Sequence, residues 1–470
     1  MSERLIIIGG VAAGMSAAAK AKRTNPKLEI VVYEKSGYVS YGACGFPYFI
    51  KGDVPRIEDL IARTPAQMAA QGITAHVHHE VTAVNPAQRT VRVVNHANGT
   101  EFTDHWDKLI VTTGASAFRP PIPGIHLPGI FTLRTVEDAL AIRRWLVEKK
   151  PKHGVIIGAG YIGLEMAEAL QAHGLLVTIV DVADQVMPTL DADVAAHVLA
   201  ELQAHGIKVN LKQPVKSFLG PTLVREVVRE VTSRVQDDMP IENGRLHVYE
   251  VITQGNILAA DIVIWGGGGR PNAALAEMAG IALGKSGAIA VDAQQRTNVP
   301  DIWAAGAVTE TSHLILGKPT YWPLAAAANK QGRVAGVNAA GGQAHFGGIV
   351  GTAVVKAFDL TIAHTGLTEK YALAAGFNAD SVTIEASSRA HYMPGHMPLH
   401  VKLVFEKGSQ RLLGAQMVGK DGVAKRIDVI AAALHAGWTV DDLTELDLSY
   451  APPFAPVWDP ILVAANVAKR

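Results

Sequence analysis

The sequence predicts an α/β protein, and three observations support this fold class. An apolar strand, a glycine-rich turn, a helix, a second strand and a terminal acid follow one another over residues 5–34. The same pattern recurs over residues 155–181. Apolar residues make up 49% of the 470-residue chain and charged residues 18%, which indicates large buried cores. We therefore expect two to four domains, two of which are Rossmann-like dinucleotide-binding domains.

The composition limits the classes to which the chain can belong. Lysine plus arginine total 43, as do aspartate plus glutamate, so no overall attraction to nucleic acid or to an anionic membrane is expected. The apolar run after Arg4 is too short for a signal peptide. No later apolar run approaches the roughly 18 residues of a spanning helix. We expect a cytoplasmic protein that binds neither nucleic acid nor membrane.

The first unit has the features of a dinucleotide-binding turn. A strand over residues 5–8 leads into Gly-Gly-Val-Ala-Ala-Gly at residues 9–14, and a helix follows. A second strand over residues 29–33 ends at Glu34. The glycines allow backbone amides and the helix N-terminus to approach a pyrophosphate, and the acid suits a ribose hydroxyl. Val11 replaces the middle glycine of the usual pattern, so this signal taken alone is weak.

The second unit repeats the pattern with all three glycines. A strand beginning at Val155 leads into Gly-Ala-Gly-Tyr-Ile-Gly at residues 158–163, and a helix, a strand over residues 177–180 and Asp181 follow. Two such units predict two bound dinucleotides. A carboxylate at Asp181 accepts a hydrogen bond from a 2′-hydroxyl but repels a 2′-phosphate, and residues 182–184 contain no arginine. NADH is therefore favoured over NADPH.

The only cysteine, Cys44, lies in Ser-Tyr-Gly-Ala-Cys-Gly-Phe-Pro-Tyr at residues 40–48. Gly42 and Gly45 allow the backbone to approach a flat partner closely. Pro47 suits the first turn of a helix, whose positive end would stabilise a thiolate. An inert buried cysteine is the alternative, but a position inside a nucleotide-binding unit favours a reactive thiol. Because no second cysteine exists, its oxidised partner must come from outside the chain.

Further patterns set the expected domain boundaries. Residues 108–115 predict a strand that ends in a turn, and the proline-rich loop at residues 119–124 is typical of a boundary. Residues 261–265 predict the strand that closes the second unit. Residues 297–306 predict a strand and a glycine turn, followed by Ala307. The chain is therefore expected to return to its first domain after the second unit closes.

Together these motifs resemble the FAD-dependent pyridine nucleotide-disulfide reductases over essentially the whole chain. Besides the two units, the resemblance rests on Lys-Leu-Ile-x-x-x-Gly-Ala, Gly-x-Gly-Tyr-Ile-Gly-Leu-Glu, Gly-x-Arg-Pro-Asn and Asn-Val-Pro-Asp-Ile-Trp-Ala-Ala-Gly. It implies a split FAD-binding domain over residues 1–118 and 272–342 and an NAD-binding domain over residues 119–271. It also implies an α+β dimerisation domain over residues 343–470, and hence a homodimer.

The lone cysteine is similar to that of the family's one-cysteine branch, which includes coenzyme A-disulfide reductases, NADH oxidases, NADH peroxidases and persulfide reductases. Residues 447–454, Asp-Leu-Ser-Tyr-Ala-Pro-Pro-Phe, closely resemble the C-terminal signature of the coenzyme A-disulfide reductases. The resemblance implies that Tyr450 reaches the thiol of the other subunit, and that Tyr392 is a second such tyrosine. The expected catalytic residues are therefore Cys44, Tyr392 and Tyr450.

The resemblance also implies which residues bind cofactors and substrate. The expected FAD-binding positions are Gly9, Val11, Ala12, Gly14, Glu34, Lys35, Val81, Thr113, Gly114, Arg134, Ala307 and Ala325. The expected NAD-binding positions are Gly158, Gly160, Tyr161, Ile162, Gly163, Glu165, Asp181 and Gly268, with Tyr161 as a gate. The positions that match coenzyme A contacts are Ser16, Lys20, Arg23 and Ser40.

A basic cluster at the end of the first helix supports the coenzyme A assignment. Lys20, Lys22 and Arg23 would suit the phosphates of a nucleotide thiol. A solvated helix end with a favourable dipole interaction is the alternative reading of the same cluster. No metal site is predicted.

These residues predict a reaction in which electrons pass from NADH through FAD and Cys44 to a small-molecule disulfide. The expected acceptor is coenzyme A disulfide or a related persulfide or polysulfide, with coenzyme A as substrate or in a mixed disulfide. An NADH oxidase that reduces oxygen through a Cys44 sulfenic acid is one alternative. Oxidase relatives carry a histidine where this chain has Ala12, which argues against it. A non-enzymatic NADH-responsive redox sensor is a second alternative. The presence of Tyr392 and Tyr450 argues against a sensor.

Some features depart from the family's pattern or stand outside it. Ala307 replaces an aspartate that bonds the flavin's ribityl chain in the family, so weaker FAD binding is expected. Ala43 replaces an asparagine that is frequent in the coenzyme A enzymes. A solvated hairpin or helix is expected for the charged residues 225–230. A surface strand is expected over three alternating histidines, namely His76, His78 and His79.

Overall fold

A computed structural model describes residues 3–220 and 247–469 of the chain. The charged stretch at residues 225–230 lies outside the described residues. The chain divides into two compact units. The first comprises Met1–Phe118, Arg134–Ala141 and Gly268–Ile349, and the second comprises Arg119–Leu133, Ile142–Gly267 and Val350–Arg470. Among the described residues, no helix combines the length and the apolar character that crossing a membrane requires.

A five-stranded sheet forms the centre of the first unit. Its strands pair in parallel in the order Ile302–Ala304, Lys108–Val111, Arg4–Ile8, Glu29–Tyr33 and Ile73–His76. Leu5, Ile6 and Ile7 are completely buried. Continuous apolar runs are expected for parallel strands covered on both faces. The central strand therefore owes its place to the uninterrupted apolar run that precedes the first glycine turn.

Two helices of the first unit, Ala12–Thr24 and Ala325–Ala339, pack at very short range. A Cβ atom added to Gly332 would overlap the carbonyl group of Ala13, and one added to Gly336 would overlap that of Ala17. Glycine is required at both positions because the backbones touch. This contact fixes the helix that begins at the first glycine turn.

Smaller elements complete the first unit. An antiparallel sheet contains His79–Asn85, Thr90–Asn95 and Thr100–His105. Ala115–Ala117 pairs with Gly269–Pro271, and Thr311–His313 pairs with Lys318–Thr320. The remaining helical segments are Ala43–Gly45 and Ile57–Leu60, both 3-10 helices, and the α-helices Phe46–Lys51, Pro65–Ala69 and Ala274–Met278.

The second unit contains another five-stranded parallel sheet. Its order is Lys208–Asn210, Leu176–Val180, His153–Ile157, Ile262–Trp265 and Ile130–Phe131. This unit contains the helices Tyr161–Ala172 and Ala192–Ala204, and the helix Val136–Lys149 begins in residues of the first unit and ends in residues of the second. A three-stranded antiparallel sheet contains Val215–Leu219, Glu250–Thr253 and Ile257–Ala259.

The C-terminal part of the second unit is built on an antiparallel sheet. Its order is Ala353–Ala357, Leu360–Gly366, Leu412–Gly419, Pro398–Glu406 and Ala379–Ser387. Its helices are Glu369–Ala374, Val423–Ala436, Val440–Thr444 and Pro460–Ala468. Two parallel sheets and a C-terminal antiparallel sheet confirm the predicted fold class. The domain limits at residues 118, 271 and 342 stay a prediction.

The prediction of one surface strand through the three histidines was wrong. His76 ends the strand Ile73–His76 and His79 begins the strand His79–Asn85. Between them, His78 has a φ of 57°, which breaks the extended backbone. The ring of Tyr33 stacks on His76 and His79 with centroid separations of 5.4 and 6.1 Å, so two of the histidines pack against an aromatic side chain.

Candidate active site

The first glycine turn is shaped for close approach of a ligand. Gly9 has a φ of 100°, which favours glycine, and its amide donates to the carbonyl of Tyr33 at 2.8 Å. A Cβ at Gly14 would overlap the carbonyl oxygen of Gly9. The following helix has Val11 at its N-cap and receives no side-chain cap. The first amides of this helix therefore have no side-chain partner at the cap, as a pyrophosphate site requires.

The second glycine turn repeats this geometry in the second unit. Gly158 has a φ of 106°, and a Cβ at Gly163 would overlap its carbonyl oxygen. The N-cap of the helix Tyr161–Ala172 is Gly160, again without a side-chain cap. The glycines of both units thus have the close-contact roles that their spacing predicts.

The acids that end the second strand of each unit hold the turns in place. The Glu34 carboxylate accepts from the amides of Gly10 and Ser36 at 2.7 and 2.8 Å. The Asp181 carboxylate accepts from the amides of Ala159 and Ala183 at 2.6 and 2.8 Å. Each carboxylate has about four acceptor positions, so further hydrogen bonds to a ribose are compatible with these contacts.

Other expected FAD positions lie around a small hydrogen-bonded junction in the first unit. The hydroxyl of Thr113 donates to the carbonyl of Asn272 at 2.8 Å, and the Asn272 side-chain amide donates back to the carbonyl of Thr113 at 2.8 Å. The backbone amide of Asn272 donates to the carbonyl of Gly114 at 2.9 Å. The Arg134 guanidinium donates to the carbonyl of Ala115 at 2.9 Å. The junction joins the strand end at residue 111 to the returning chain.

The remaining FAD positions differ in what they can contribute. Val81 is buried, whereas Lys35 is exposed beside Glu34. Ala325 begins the helix Ala325–Ala339, whose N-cap is Leu324 without a side-chain cap. The carbonyl of Ala307 accepts from the Tyr321 hydroxyl at 2.9 Å. Its methyl side chain has no polar atom, so any bond that Ala307 makes to a ligand must come from its backbone. Apart from the Ala307 side chain, the residues at the expected FAD positions of the first unit fit a flavin dinucleotide.

Cys44 lies in the 3-10 turn Ala43–Gly45, directly before the helix Phe46–Lys51, and is exposed. Pro47 occupies the first turn of that helix, as predicted. The amide of Gly42 donates to the carbonyl of Leu60 at 2.9 Å. The amide of Ser40 donates to the carbonyl of Gly10 at 2.9 Å. The thiol segment is therefore tied directly to the first glycine turn.

The expected substrate residues on the first helix share one face. Ser16, Lys20 and Arg23 are spaced by four and three residues, which places them in one row. The Ser16 hydroxyl donates to the side chain of Asn329 at 2.6 Å. Lys22 does not belong to this row, because its ammonium donates to the carbonyl of Leu28 at 2.9 Å. The predicted cluster of three cations therefore reduces to Lys20 and Arg23.

Tyr161 has a partner that sequence reasoning missed. Its hydroxyl lies 2.5 Å from Nε2 of His364, a buried residue on the strand Leu360–Gly366. Burial raises the pKa of Tyr161 and lowers the pKa of His364 to about 4, so both groups are neutral near pH 7. Ile162 and Glu165 follow on the same helix and are partly buried. Gly268 has a φ of 94° and belongs to the first unit.

The structure brings the two predicted tyrosines together. The hydroxyl oxygens of Tyr392 and Tyr450 lie 3.4 Å apart, and the two residues are 62% and 46% exposed. The hydrogen bond that Tyr450 shares with Tyr392 raises the pKa of Tyr450, as expected when the Tyr450 hydroxyl is the donor. Tyr450 is therefore protonated at neutral pH and available as a donor. Phe454 and Trp458 lie on the same C-terminal segment and are strongly exposed.

One group of side chains has the composition of a metal site among the described residues. Ligand atoms of Glu201, His205 and Asp359 lie within 4.8 Å of one another. The ammonium of Lys420 lies 3.3 Å from the Asp359 carboxylate and 4.0 Å from that of Glu201. Because a cation already serves these carboxylates, ion pairing accounts for the group.

Arg426 is a second residue that the sequence reasoning missed. It is 1% exposed on the helix Val423–Ala436 and pairs with Asp459. A signal was present, since Val423, Ile427 and Ile430 mark the apolar face of this helix and Arg426 stands within it. An arginine on such a face requires a buried acid.

Comparison with known proteins agrees with this geometry. The pyridine nucleotide-disulphide oxidoreductase family matches residues 3–344, and its dimerisation domain matches residues 352–460. The chain belongs to this family. It is a flavoprotein disulfide reductase of the single-cysteine type, dependent on a pyridine nucleotide, and the dimerisation domain implies a homodimer.

Individual relatives cover nearly the whole chain. A protein of Pyrococcus horikoshii named NAD(P)H coenzyme A polysulfide/persulfide reductase is 40% identical over 473 residues, covering 100% of this chain and 99% of its own. A coenzyme A disulfide reductase of Staphylococcus epidermidis is 32% identical, covering 96% of each chain. The structure of reduced Bacillus anthracis CoADR-RHD is 35% identical with a TM-score of 0.92, covering 100% of this chain and 80% of its own.

Proposed function

We propose that the protein uses NADH to reduce coenzyme A disulfide, or a coenzyme A-linked persulfide or polysulfide, at Cys44. The observation that carries the proposal is the attachment of the thiol segment to the first glycine turn through Ser40 and Gly10. This bond places the single exposed thiol in the unit that fits a flavin. The two relatives named for coenzyme A substrates support the same assignment.

The residues of the first unit hold the flavin in this proposal. The amides that follow Gly9 receive the pyrophosphate, and Glu34 receives a ribose hydroxyl. When bound, FAD accepts a hydride from the pyridine nucleotide and supplies two electrons to a disulfide sulfur. One side of the flavin site is the hydrogen-bonded junction that contains Thr113, Gly114 and Arg134.

The residues of the second unit select and admit the nicotinamide cofactor. Asp181 repels a 2′-phosphate and is fixed by two backbone amides, which supports the preference for NADH over NADPH. Tyr161 acts as the gate of the nicotinamide position, and its hydrogen bond to His364 sets its resting place.

Cys44 and the tyrosines carry out the exchange of sulfur bonds. The Cys44 thiolate attacks one sulfur of the substrate disulfide, so that an S–S bond to Cys44 forms and the substrate S–S bond breaks. The leaving thiolate takes a proton from the hydroxyl of Tyr450 or Tyr392, supplied by the partner subunit, and solvent returns that proton to the phenol. Reduction of the mixed disulfide by two electrons, with one proton taken from solvent, then breaks its S–S bond, releases the second thiol and restores the Cys44 thiolate.

A row on the first helix holds the nucleotide part of the substrate. Lys20 and Arg23 supply positive charge for phosphate groups, and Ser16 and Ser40 supply hydroxyl groups. A pantetheine arm would then lead from this row to Cys44. The row suits a thiol that bears phosphates more than it suits oxygen.

Replacement of Cys44 by serine tests the proposed function. The Cys44→Ser variant is expected to lose all NADH-dependent turnover of coenzyme A disulfide while it still takes up FAD and still allows NADH to reduce it. Turnover is followed by NADH absorbance, and flavin reduction by anaerobic stopped-flow absorbance. Ser36→Ala is the matched control and is expected to keep turnover within about twofold.

Three outcomes would contradict the proposal. Retained disulfide turnover in Cys44→Ser would remove the thiol from the reaction. A wild-type protein that forms water from oxygen, and whose Cys44→Ser variant forms peroxide, would identify an oxidase. A protein that binds NADH without turning over any disulfide would identify a redox sensor.

A further inference from the structure

Arg426 is held in the interior of the second unit by three groups. Its Nε donates to both oxygens of Asp459 at 2.9 and 3.0 Å, and one terminal nitrogen lies 2.9 Å from the same carboxylate. That nitrogen also donates to the carbonyl of Ser388 at 3.0 Å, and the other donates to the carbonyl of Gly422 at 3.1 Å. Arg426 and Asp459 are 1% and 5% exposed.

Two of the three partners of Arg426, Ser388 and Asp459, lie at the ends of the two segments that carry Tyr392 and Tyr450, here called the tyrosine segments. Ser388 opens the loop at residues 388–397, which carries Tyr392 between the strands Ala379–Ser387 and Pro398–Glu406. The amide of Ser388 donates to the carbonyl of Met397 at 2.9 Å and closes this loop at its base. Asp459 ends the segment that carries Tyr450.

Asp459 also caps the helix that follows its segment. It is the N-cap of the helix Pro460–Ala468, and its carboxylate accepts from the amide of Ile461 at 3.0 Å. The position of Asp459 is therefore set by a helix on one side and by Arg426 on the other. The segment from Tyr450 to Asp459 cannot move at this end unless the buried ion pair breaks.

The two segments also contact each other at positions between the tyrosines and the end residues Ser388 and Asp459. The amide of Ala390 donates to the carbonyl of Pro452 at 3.2 Å. Lys425, the neighbour of Arg426, donates to the carbonyl of Phe454 at 3.3 Å. The helix Val423–Ala436 thus contacts both segments. Its residue Arg426 binds Ser388 in one segment and Asp459 in the other.

We propose that Arg426 and Asp459 form a positioning pair that sets the relative placement of the Tyr392 and Tyr450 hydroxyls for proton delivery to the leaving thiol. The pair touches no reacting atom and acts only through the two segments. A buried ion pair adds little stability over apolar residues of the same size, but the planar guanidinium fork fixes geometry that a lysine would not. The inference rests on the proposed function, because it assigns a purpose to the tyrosines of that function.

Two substrates with different leaving thiols can show whether Arg426 and Asp459 position the tyrosines or only stabilise the fold. A leaving alkyl thiolate, such as that of coenzyme A, is strongly basic and benefits from a proton donor. A nitroaryl thiolate is weakly basic and leaves readily without one. Misplaced tyrosines should therefore slow turnover of coenzyme A disulfide but spare turnover of a nitroaryl disulfide.

The experiment measures turnover of both disulfides at saturating NADH for the homodimeric protein loaded with FAD. The variants are Arg426→Lys, Asp459→Asn, which retains an N-cap side chain, and the double variant Tyr392→Phe with Tyr450→Phe. The double variant is expected to lose at least about tenfold with coenzyme A disulfide and to stay within about threefold with the nitroaryl disulfide. Arg426→Lys and Asp459→Asn are expected to show the same selective loss although both tyrosines are present.

Lys402→Met serves as the control for a buried cation outside these segments. Lys402 contacts Asp191, Asp193 and Glu369 and is bonded to neither tyrosine segment in the described structure. Its loss is expected to change both turnovers by the same factor. Circular dichroism and size-exclusion chromatography verify that each variant is folded and dimeric before its kinetics are compared.

Each outcome decides between the two claims. Equal losses for both disulfides in Arg426→Lys and Asp459→Asn, with a selective loss in the tyrosine double variant, would overturn the positioning pair and leave the proposed function standing. No selective loss in the double variant would overturn the acid role of the tyrosines and this inference with it. A wild-type protein that reduces neither disulfide would overturn the proposed function itself.

Discussion

At the scale of single residues, Ala307 is the position where the sequence predicts a departure from the family's pattern. The residue follows Gly306, whose amide donates to the buried side chain of Gln331 at 3.0 Å. The carbonyl of Ala307 is bonded to Tyr321. The turn is thus held by neighbours even though the side chain offers no acceptor. We therefore expect the departure to affect the affinity for the flavin rather than the shape of the turn.

The Ala307→Asp variant is expected to bind FAD more tightly. A charge-assisted hydrogen bond to a flavin hydroxyl contributes on the order of 1.5 to 3 kcal/mol, which corresponds to about a tenfold to hundredfold lower dissociation constant. The fluorescence of released FAD on dilution measures the constant, and Ala307→Asn, a neutral acceptor, is the matched control. Wild-type protein that keeps all its FAD through extended dialysis would contradict this account of Ala307.

At the scale of secondary-structure elements, the contact between the helices Ala12–Thr24 and Ala325–Ala339 places the first glycine turn. Gly332 and Gly336 let the second helix rest on the backbone of the first at Ala13 and Ala17. Such a contact has no room for a methyl group. The helix that carries the expected substrate row therefore depends on two glycines from a distant part of the chain.

Gly332→Ala is expected to destabilise the first unit. The added methyl group would force the two helix backbones apart, at a cost of roughly 1 to 3 kcal/mol from overpacking. Gly347→Ala is the matched control, because a Cβ there has no heavy atom within 4 Å. Urea denaturation of both variants measures the change. Equal denaturation midpoints for the two variants would show that the two helices accommodate the methyl group without a loss in the free energy of unfolding.

Some elements could be predicted from the sequence because local chemistry alone determines them. The glycine turns and the helix start at Pro47 require particular residues at particular spacings. The break at His78 could not be predicted, because alternating histidines resemble a strand and only the φ of one residue ends it. The proximity of Tyr392 and Tyr450 was expected only through family resemblance.

The partners of Arg426 and Tyr161 could not be predicted from the sequence for a different reason. The partners of Arg426 lie 38 residues before it and 33 residues after it, and local periodicity carries no information on such contacts. The pairing of Tyr161 with His364 spans 203 residues. Only the folded chain shows that these side chains meet.

At the scale of the whole molecule, a buried charge network ties the two sheet-bearing parts of the second unit together. The Lys402 ammonium lies 3.2, 3.1 and 3.0 Å from the carboxylates of Asp191, Asp193 and Glu369. Asp191 also accepts from the side chain of Gln416 at 2.6 Å. Burial alone would raise the pKa of Asp191, but the hydrogen bonds from Gln416 and two backbone amides hold it below its ordinary value.

Lys402→Met is expected to destabilise the protein at pH 7 and to do so less at pH 3. The variant leaves three carboxylates without their cation, a loss on the order of 3 kcal/mol for a buried pair that loses one partner. Because the pKa of Asp191 is lowered in the folded state, its contribution is fully present above its ordinary value of 3.8 and is lost as the pH falls below that value towards the folded-state pKa. The destabilisation should therefore shrink as Asp191 becomes protonated.

Urea denaturation midpoints of the wild type and the variant at both pH values test this expectation. Lys420→Met is the control, because Lys420 forms its ion pairs at the exposed edge and is 43% exposed. A Lys402→Met effect that is the same at pH 7 and pH 3 would contradict the assignment of the network to charge pairing.

Mass spectrometry of the non-reduced protein after incubation with coenzyme A disulfide tests the central claim most directly. The account predicts an adduct of coenzyme A mass on the peptide that contains Cys44, its loss on addition of NADH to the FAD-loaded protein, and no adduct in Cys44→Ser. A bare or oxygen-bearing sulfur at Cys44 after the same incubation would contradict the claim that this thiol exchanges with coenzyme A disulfide.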